Sequence, residues 1–343
     1  MQSPFLRRAR LRPWVLPFLV VLILACAAGA ILAGRYGVSP QEMVGAISAR
    51  LEGGIYPDRK ADSVVFNLRL PRITVAVLIG SGMAVSGAAF QSLFSNPLAT
   101  PDTLGVASGT CVGAVIALLL GWGMTGVQLT ALAAGLVTVA ITTAVARRLD
   151  GGTDVVMLVL AGVIVSAMAD AVLSMLKLTA DPTSKLPEIT YWLMGSLAGA
   201  SWSQIALVAP FIVIGSGVIV VLRWRLNVLA LSEDEARAAG VDVRSLRITL
   251  IVCATVVTAS VISLCGQVGW IGLIVPHAAR MLTGSDNRYL IPVCLLLGAS
   301  VMILIDTVAR TITASEVPVS VVTAIVGAPF FITLLRRTGG VRA

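Results

Sequence analysis

The chain lacks most of the charge that a water-soluble protein carries. Of its 343 residues, 12% are charged and 57% are hydrophobic. A soluble domain usually has about 25% charged residues, because its surface must be hydrated. The shortage excludes an ordinary soluble protein and indicates that much of the chain faces lipid or other apolar helices.

Motifs for catalysis and metal binding are missing as well. The sequence has no GxxxxGK[ST] nucleotide-binding loop, no HExxH zinc-protease motif and no CxxC pair. Its single histidine, His277, cannot form a multi-histidine site, so a structural hydrogen bond is favoured over a haem or metal ligand. We predict no enzyme activity and no bound cofactor, and a process driven by ATP would need another subunit to hold the nucleotide. The cysteines lie in apolar stretches and are interpreted as small core residues: Cys26, Cys111, Cys253, Cys265 and Cys294.

Basic residues outnumber acidic ones, and the net charge is +8. Lys and Arg stand at the ends of apolar runs and are not interleaved with aromatic residues on a soluble segment. This distribution follows the positive-inside rule of membrane proteins. It gives no support for nucleic acid as a partner.

Long apolar runs recur along the whole chain. About 20 apolar residues are needed to cross the hydrocarbon core of a bilayer. The eighth run is shorter, begins after Gly266 and Gly269 and contains Pro276, so we expect protein or a cavity, and not lipid, to surround it. The runs predict an all-α polytopic membrane protein with ten spans: 14–34, 68–92, 105–121, 126–147, 154–177, 202–222, 246–265, 270–282, 289–309 and 318–335.

Ten spans place both termini on one side of the membrane. More Lys and Arg fall on that side than on the other, which predicts cytoplasmic termini. A signal peptide is the alternative interpretation of the first run, because arginines precede it and residues 23–26 loosely resemble a lipoprotein cleavage site. The length of the run and the presence of Leu24 favour a retained helix.

Two segments on the predicted cytoplasmic side are candidates for a mechanical role. In 231–241, Ser232 and Glu235 have the spacing of a capping box and Gly240 is a helix stop, so a short helix is predicted. That helix is either a solvated connection or a docking point for a cytoplasmic partner. The turn 95–102 contains two prolines and either joins two spans or closes a pore mouth.

Charged residues near the outer side allow two interpretations each. Arg69, Arg72 and Arg310 either extend toward lipid headgroups or bind carboxylates of a docking protein. Asp306 lies one helical turn before Arg310 and is expected to pair with it in part. Asp170, within the fifth span, either lines a substrate path or faces outer water or a hydrogen-bonding neighbour.

Four stretches of the chain resemble one family of permeases. They cover Arg69–Gly109, Glu233–Val243, Gly269–Pro292 and Glu316–Leu335, and they include SNPLATPDTLG, EDEARAAGVDV and GWIGLIVPHAARMLTG. Each is similar to the FecCD or BtuC-like permeases for iron-siderophores, haem and vitamin B12. The resemblance extends over roughly 60–338, and the first span and outer loop match only in kind.

The resemblance implies a single transmembrane permease domain over residues 1–343, in the inner membrane. A second permease subunit would complete the central path, and two cytoplasmic ATPase subunits would use ATP and magnesium. A periplasmic or lipid-anchored binding protein would deliver the cargo. This chain itself would be non-catalytic.

The resemblance also implies roles for individual residues. Arg69, Arg72 and Arg310 would pair with acidic residues of the binding protein. Asn96 and Leu98 would form a cytoplasmic gate, and the turn 150–154, with Gly152 and Thr153, would form a second one. The predicted short helix would dock in the ATPase through Glu233, Glu235, Ala236, Ala239 and Gly240.

Three residues depart from the family pattern. Ala239 replaces a larger apolar residue, Asp170 is unusual for its helix, and Trp270 replaces the common Phe. The departures bear on the fit to the ATPase and on the cargo.

An iron-siderophore is the cargo that we expect, with vitamin B12, haem or molybdate as alternatives in the same family. An ion-coupled secondary transporter that uses Asp170 or Asp306 is the alternative from a different class. A membrane enzyme is disfavoured because the sequence has no catalytic constellation.

Overall fold

The computed structural model describes residues 6–7, 10–34, 36–54, 56–147, 155–231, 233–313 and 315–337. A two-stranded ladder pairs β1 (Leu6–Arg7) with β2 (Arg10–Leu11), and the rest of the regular structure is helical. The helices are α1 (Val15–Leu32), α2 (Pro40–Leu51), α3 (Arg59–Ser63), α4 (Leu70–Leu93), α5 (Val106–Leu119), α6 (Met124–Ala146), α7 (Val155–Thr179), α8 (Lys185–Leu193), α9 (Trp202–Leu222), α10 (Glu233–Ala238), α11 (Val243–Cys265), α12 (Ile271–Thr283), α13 (Asn287–Thr311) and α14 (Val319–Arg337).

A helix stands at each of the ten predicted spans. Seven helical segments in the described residues are long and apolar enough to cross a bilayer, and they contain α1, α4, α6, α7, α9, α11 and α13. The apolar helices α5, α12 and α14 are shorter. The predicted all-α polytopic fold is confirmed. We call the side where α1 begins and α14 ends the terminal face, and the side where α1 ends and α4 begins the rim face.

Helix α4 is the centre of the bundle. It is mostly buried, whereas α1 and α7 are mostly exposed, and it packs against α9, α11, α12 and α13. Glycines permit this packing, because a Cβ added at Gly80 would collide with the carbonyl of Gly298 and one added at Gly87 with the carbonyl of Gly272. Small residues at such contacts let helix backbones approach closely.

The short helix α12 begins inside the bundle. Its residue Gly272 lies against Gly87, in the terminal-face half of α4, and Gly266 and Val268 of the connection 266–270 are buried. Gly266 has φ +78°, and Trp270 has φ +68°, a region that non-glycine residues rarely adopt. The Trp270 ring packs edge-to-face against Phe331 of α14 at 6.5 Å between centroids. Six residues of this short span are buried in protein: Ile271, Gly272, Val275, Pro276, Ala279 and Thr283.

The segment between α1 and α4 carries more structure than its polarity indicates. Ser39 Oγ accepts from the N–H of Glu42, whose carboxylate accepts from the N–H of Ser39, and this capping box starts α2. Asp58 caps α3 in a similar way. A π-helical turn, Val64–Arg69, then leads directly into α4. The Ser39–Glu42 spacing is visible in the sequence and was the available signal for α2.

Alanine at Gly87 should destabilise the fold. The added Cβ would meet the backbone of Gly272, which cannot move without shifting α12, and overpacking of this kind costs about 1–3 kcal/mol or more. We expect a lower melting temperature and a severalfold lower yield of monodisperse protein in detergent. The matched control is Gly217→Ala in α9, where an added Cβ meets nothing within 4 Å. An equal loss in both variants would contradict the role assigned to the α4–α12 contact.

Candidate functional site

An ion-pair cluster lies on the rim face, at the start of α4. The guanidinium of Arg72 donates through Nε to both carboxylate oxygens of Asp306 at 2.9 Å, and through Nη1 to Glu316 Oε1 at 2.8 Å. The Arg72 side chain is 12% exposed and that of Asp306 is 4% exposed. Because both charged groups are buried, the attraction between them must offset the free energy that each loses on leaving water.

Arg69 and Arg310 attach α1 to the same cluster. Arg69 donates to the backbone carbonyls of Ile31 and Tyr36, and Arg310 donates to that of Ala30. The carbonyls at a helix C-terminus carry partial negative charge and lack intrahelical partners, so arginine donors are favourable there. Arg310 Nε also lies 3.9 Å from Asp306 Oδ2, as its helical spacing predicts.

The three arginines therefore lie close together. Their predicted common role in contact with a binding protein requires this. They border an open cleft of about 310 Å³, which is also lined by Gly34, Tyr36, Val64, Leu68, Ala198, Ala200 and Glu316. Three positive charges face two carboxylates, so the cluster keeps an excess of positive charge. Most of the arginine donors are nevertheless occupied by the chain itself. Their predicted contact with a binding protein stays a prediction.

Sequence reasoning missed Glu316 as the second partner of Arg72. Glu316 lies 244 positions away along the chain, in the connection between α13 and α14. No local spacing relates the two residues. The carbonyl partners at the end of α1 were also hidden, because backbone atoms carry no sequence signal.

The turn between α4 and α5 lies on the terminal face and holds Asn96 and Leu98. The N–H of Asn96 donates to Gln91 O at 3.1 Å, and its Oδ1 accepts from the N–H of Leu98 at 2.9 Å. Ser95 has φ +46°, which turns the chain sharply after α4. The Leu98 side chain is 53% exposed. Asn96 thus fixes an apolar side chain in an exposed position, and we call residues 94–100 the gate turn. The other two residues predicted for a gate, Gly152 and Thr153, lie outside the described residues.

The predicted short helix is α10, on the terminal face. The N–H of Val241 donates to Ala236 O and that of Ala239 to Glu235 O, and Gly240 has φ +75°. These bonds form the glycine stop that the sequence predicts. The proposed cap, Ser232, lies outside the described residues.

The side chains of α10 divide between core and surface. Ala236 is fully buried against the bundle, whereas Glu235, Ala239 and Gly240 are exposed. Glu233 begins the helix. An anchored helix with an exposed end suits contact with another protein, but its role as a docking point stays a prediction.

Asp170 is exposed on α7, and its charge reaches a second carboxyl. Asp102 lies in the 3-10 turn Pro101–Leu104, which follows the gate turn. The side chain reaches solvent, but the dense protein around it raises its pKa, and the nearby charge of Asp170 acts in the same direction. Asp102 was not predicted as a site residue, because Asp170 is distant from it along the chain.

Among the described residues, no group of three His, Cys, Asp or Glu side chains is placed to hold a metal ion. All five cysteines are free thiols. The chemistry of the described sites is therefore that of ion pairing, packing and hydrogen bonding.

The comparisons with known proteins agree over almost the whole chain. The family described as the FecCD transport family matches residues 19–337. The chain belongs to the FecCD transport family. It is a multi-span permease subunit of an ABC importer, and the resemblance found in the sequence is confirmed.

Two curated relatives cover most of this FecCD permease. The molybdate import system permease protein MolB of Haemophilus influenzae is 35% identical over 95% of this chain and 96% of its own length. The cobalamin import system permease protein BtuC of Halobacterium salinarum is 40% identical over 85% of this chain and 78% of its own length.

A solved structure, an inward-facing conformation of a putative metal-chelate type ABC transporter, superposes with a TM-score of 0.86. It is 35% identical and covers 95% of this chain and all of that one. The fold of this FecCD permease is therefore that of a solved ABC transporter permease.

Removal of the positive charge at Arg72 should destabilise the permease. Arg72→Gln leaves the buried carboxylate of Asp306 with only the more distant Arg310, 3.9 Å away, as an opposite charge, and breaking a buried ion pair in this way costs about 3–5 kcal/mol. We expect a large drop in the melting temperature in detergent, and recovery of much of it in Arg72→Gln combined with Asp306→Asn. Arg59→Gln, which removes an exposed charge on the same face, is the control and should have little effect. Purely additive effects of Arg72→Gln and Asp306→Asn would contradict the pairing.

Neutralising Asp102 should stabilise the protein in a pH-dependent way. Burial raises the pKa of this carboxyl in the native state, so ionisation favours the unfolded chain at pH values above the ordinary pKa of an aspartate. Asp102→Asn should therefore raise the melting temperature at neutral pH. The gain should shrink as the pH falls through the raised pKa, because the parent then becomes neutral as well. A gain that does not depend on pH would show that charge is not the cause.

Proposed function

We propose that this permease is one half of a membrane pore in an importer that brings a metal complex into the cytoplasm. A second permease subunit completes the pore, and two ATPase subunits dock on the terminal face, which is the cytoplasmic side. A periplasmic or lipid-anchored protein delivers the cargo at the rim face. In this assembly the chain does no hydrolysis, since ATP and magnesium belong to the ATPase subunits.

The observation that supports this proposal most strongly is the placement of α10. The helix is anchored through buried Ala236, and it presents Ala239 and Gly240 at the face that also carries the gate turn. A partner that moves α10 therefore acts near the pore mouth. Conformational change requires contacts that differ between two states, and nucleotide-dependent closure of a docked ATPase would supply them.

The rim face suits a partner with acidic residues. Its cleft borders Arg69, Arg72 and Arg310, and the cluster carries more positive than negative charge. Asp170 has a place in the same proposal as a group of the substrate path, because its charge reaches Asp102 beside the gate turn.

For the cargo we propose a ferric chelate of the siderophore type, with molybdate as the second candidate. The solved relative is described as a putative metal-chelate type transporter, and the molybdate permease matches nearly the full length of both chains. Uptake of radioactive iron, supplied as a ferric siderophore, and of radioactive molybdate by cells with and without the permease distinguishes them. Loss of iron uptake alone is the expected result.

The ion pair of Asp306 argues against its use as the coupling site of an ion-coupled transporter. The alternative required Asp170 or Asp306 as a coupling site. Asp306 is held by Arg72 in a buried ion pair. Its charge is therefore committed to the fold.

The docking role of α10 predicts a specific loss of assembly. Ala239→Arg places a long charged side chain at an exposed position beside α10 and leaves the buried Ala236 in place. We expect co-purification of the ATPase to fall at least about tenfold, because clashes and unpaired charge at an interface each cost over 1.4 kcal/mol. The permease itself should keep its melting temperature.

The matched control is Ala198→Arg, the same exchange at an exposed position on the rim face. It should leave co-purification unchanged. Normal assembly of Ala239→Arg with the ATPase would refute docking at α10.

A further inference from the structure

A polar connection lies beside α10 on the terminal face. The 3-10 turn Arg225–Ala230, which ends three positions before α10 begins, contains Asn227. Its Nδ2 donates to Asp286 Oδ1 at 2.7 Å, and its Oδ1 accepts from the N–H of Asn287 at 2.9 Å. The side-chain amide of Asn227 is therefore committed, at both ends, to the first residues of α13.

The connection continues from α13 to α4. Ser92 Oγ lies 3.1 Å from Asn287 Oδ1 and 2.9 Å from the carbonyl of Ala88, so its one proton is shared between two acceptors, and Asn287 is 6% exposed. Ser92 belongs to the last turn of α4. A continuous path of hydrogen bonds thus joins the turn before α10 to the end of α4, and we call it the Asn227–Asn287–Ser92 bridge.

The end of α4 in turn holds the gate turn. Gln91, next to Ser92, accepts the N–H of Asn96 through its backbone carbonyl at 3.1 Å. Its side chain is 2% exposed and points its Nε2 toward Gly272 O at 3.4 Å. A displacement of the last turn of α4 therefore carries the gate turn with it.

The other end of the bridge is embedded near α10. Leu226 and Leu229, on either side of Asn227, are 1% and 7% exposed, and Ala236 of α10 is fully buried. The 3-10 turn is therefore held in the bundle, and only residues 231–232 separate it from α10 along the chain. Packed interiors transmit displacement because they hold few voids.

The hydrogen bonds of Asn227 do more than cap α13. Asp286 is already the N-cap of α13, since its Oδ1 accepts the N–H of Arg288 at 2.9 Å. Asn227 comes from a different element, and its bonds join that element to α13. Such tertiary bonds change when the elements move relative to one another, whereas a local cap does not.

We propose that the Asn227–Asn287–Ser92 bridge transmits movement of α10 to the gate turn, so that the three residues couple the ATPase to the pore. This inference rests on the proposed docking of an ATPase at α10. It adds a set of positioning residues that contact neither the ATPase nor the cargo.

The test uses the assembled permease and ATPase in nanodiscs, with Leu98→Cys as reporter of the gate turn. The labelling rate by a hydrophilic maleimide is measured with and without ATP and magnesium, and the signal of the chain without the reporter is subtracted. Asn227→Ala removes two hydrogen bonds, and we expect it to reduce the ATP-induced change in labelling about tenfold. Co-purification and hydrolysis of ATP should stay close to the parent values.

A rescue experiment distinguishes loss of transmitted movement from a general loss of structure. Asn227→Asp alone places two carboxylates together and should lose the response. Combined with Asp286→Asn, it restores a donor–acceptor pair in reverse order and should regain it. Ser92→Ala breaks the bridge at α4 and keeps the bonds from Asn227 to Asp286 and Asn287, so it tests the idea even if Asn227→Ala fails to fold. The control is Asn67→Ala, which removes a hydrogen bond to Ser63 of 3.2 Å on the rim face.

The outcomes distinguish this inference from the proposed function. If the parent assembles and responds to ATP, and Asn227→Ala and Ser92→Ala respond equally well, the bridge does not transmit movement. A reverse-order double variant that fails to recover would also overturn it. If the parent itself shows no assembly or no response, the proposed docking is wrong and the bridge loses its role with it.

Discussion

The close contact of α4 with the backbones of α12 and α13 is the constraint on which the rest of the structure depends. Gly80 lies against Gly298 and Gly87 against Gly272, with no space for a side chain between them. Because lipid tails are as apolar as the helices, the hydrophobic effect does not drive helix association within the bilayer. Van der Waals contact between closely packed small residues must drive it instead. With 24 residues, α4 spans about 36 Å, and its two ends hold the two candidate sites. The charged cluster and the gate turn are therefore opposite ends of one rigid element.

Much of the fold was predictable because its signals are local. Apolar runs gave the ten spans, Gly240 gave the end of α10, and Gly266 with Pro276 indicated the short α12. Each of these features is decided within a few residues by chain geometry or by the need to satisfy backbone groups in lipid. The helix α2 belongs to the same class, since its capping box is readable from Ser39 and Glu42.

The candidate sites were only partly predictable, because their partners are distant in sequence. The rim arginines could be placed near one another, but Glu316 and the carbonyls at the end of α1 could not. The Asn227–Asn287–Ser92 bridge joins three uncharged residues from three elements, and nothing in its sequence neighbourhood sets them apart. Polar groups in a mostly apolar protein must find partners inside it, and which partners they find depends on the packing of helices.

The backbone at Trp270 adds a different kind of consequence. A bulky residue with positive φ costs about 1–3 kcal/mol, and it persists only where its surroundings compensate. Here the indole ring packs on Phe331 and lies close to Gly327, both in α14. The contacts with α14 therefore compensate for the strained backbone at the entrance to α12, so a change at Phe331 or Gly327 alters the energy of a turn that belongs to a different helix.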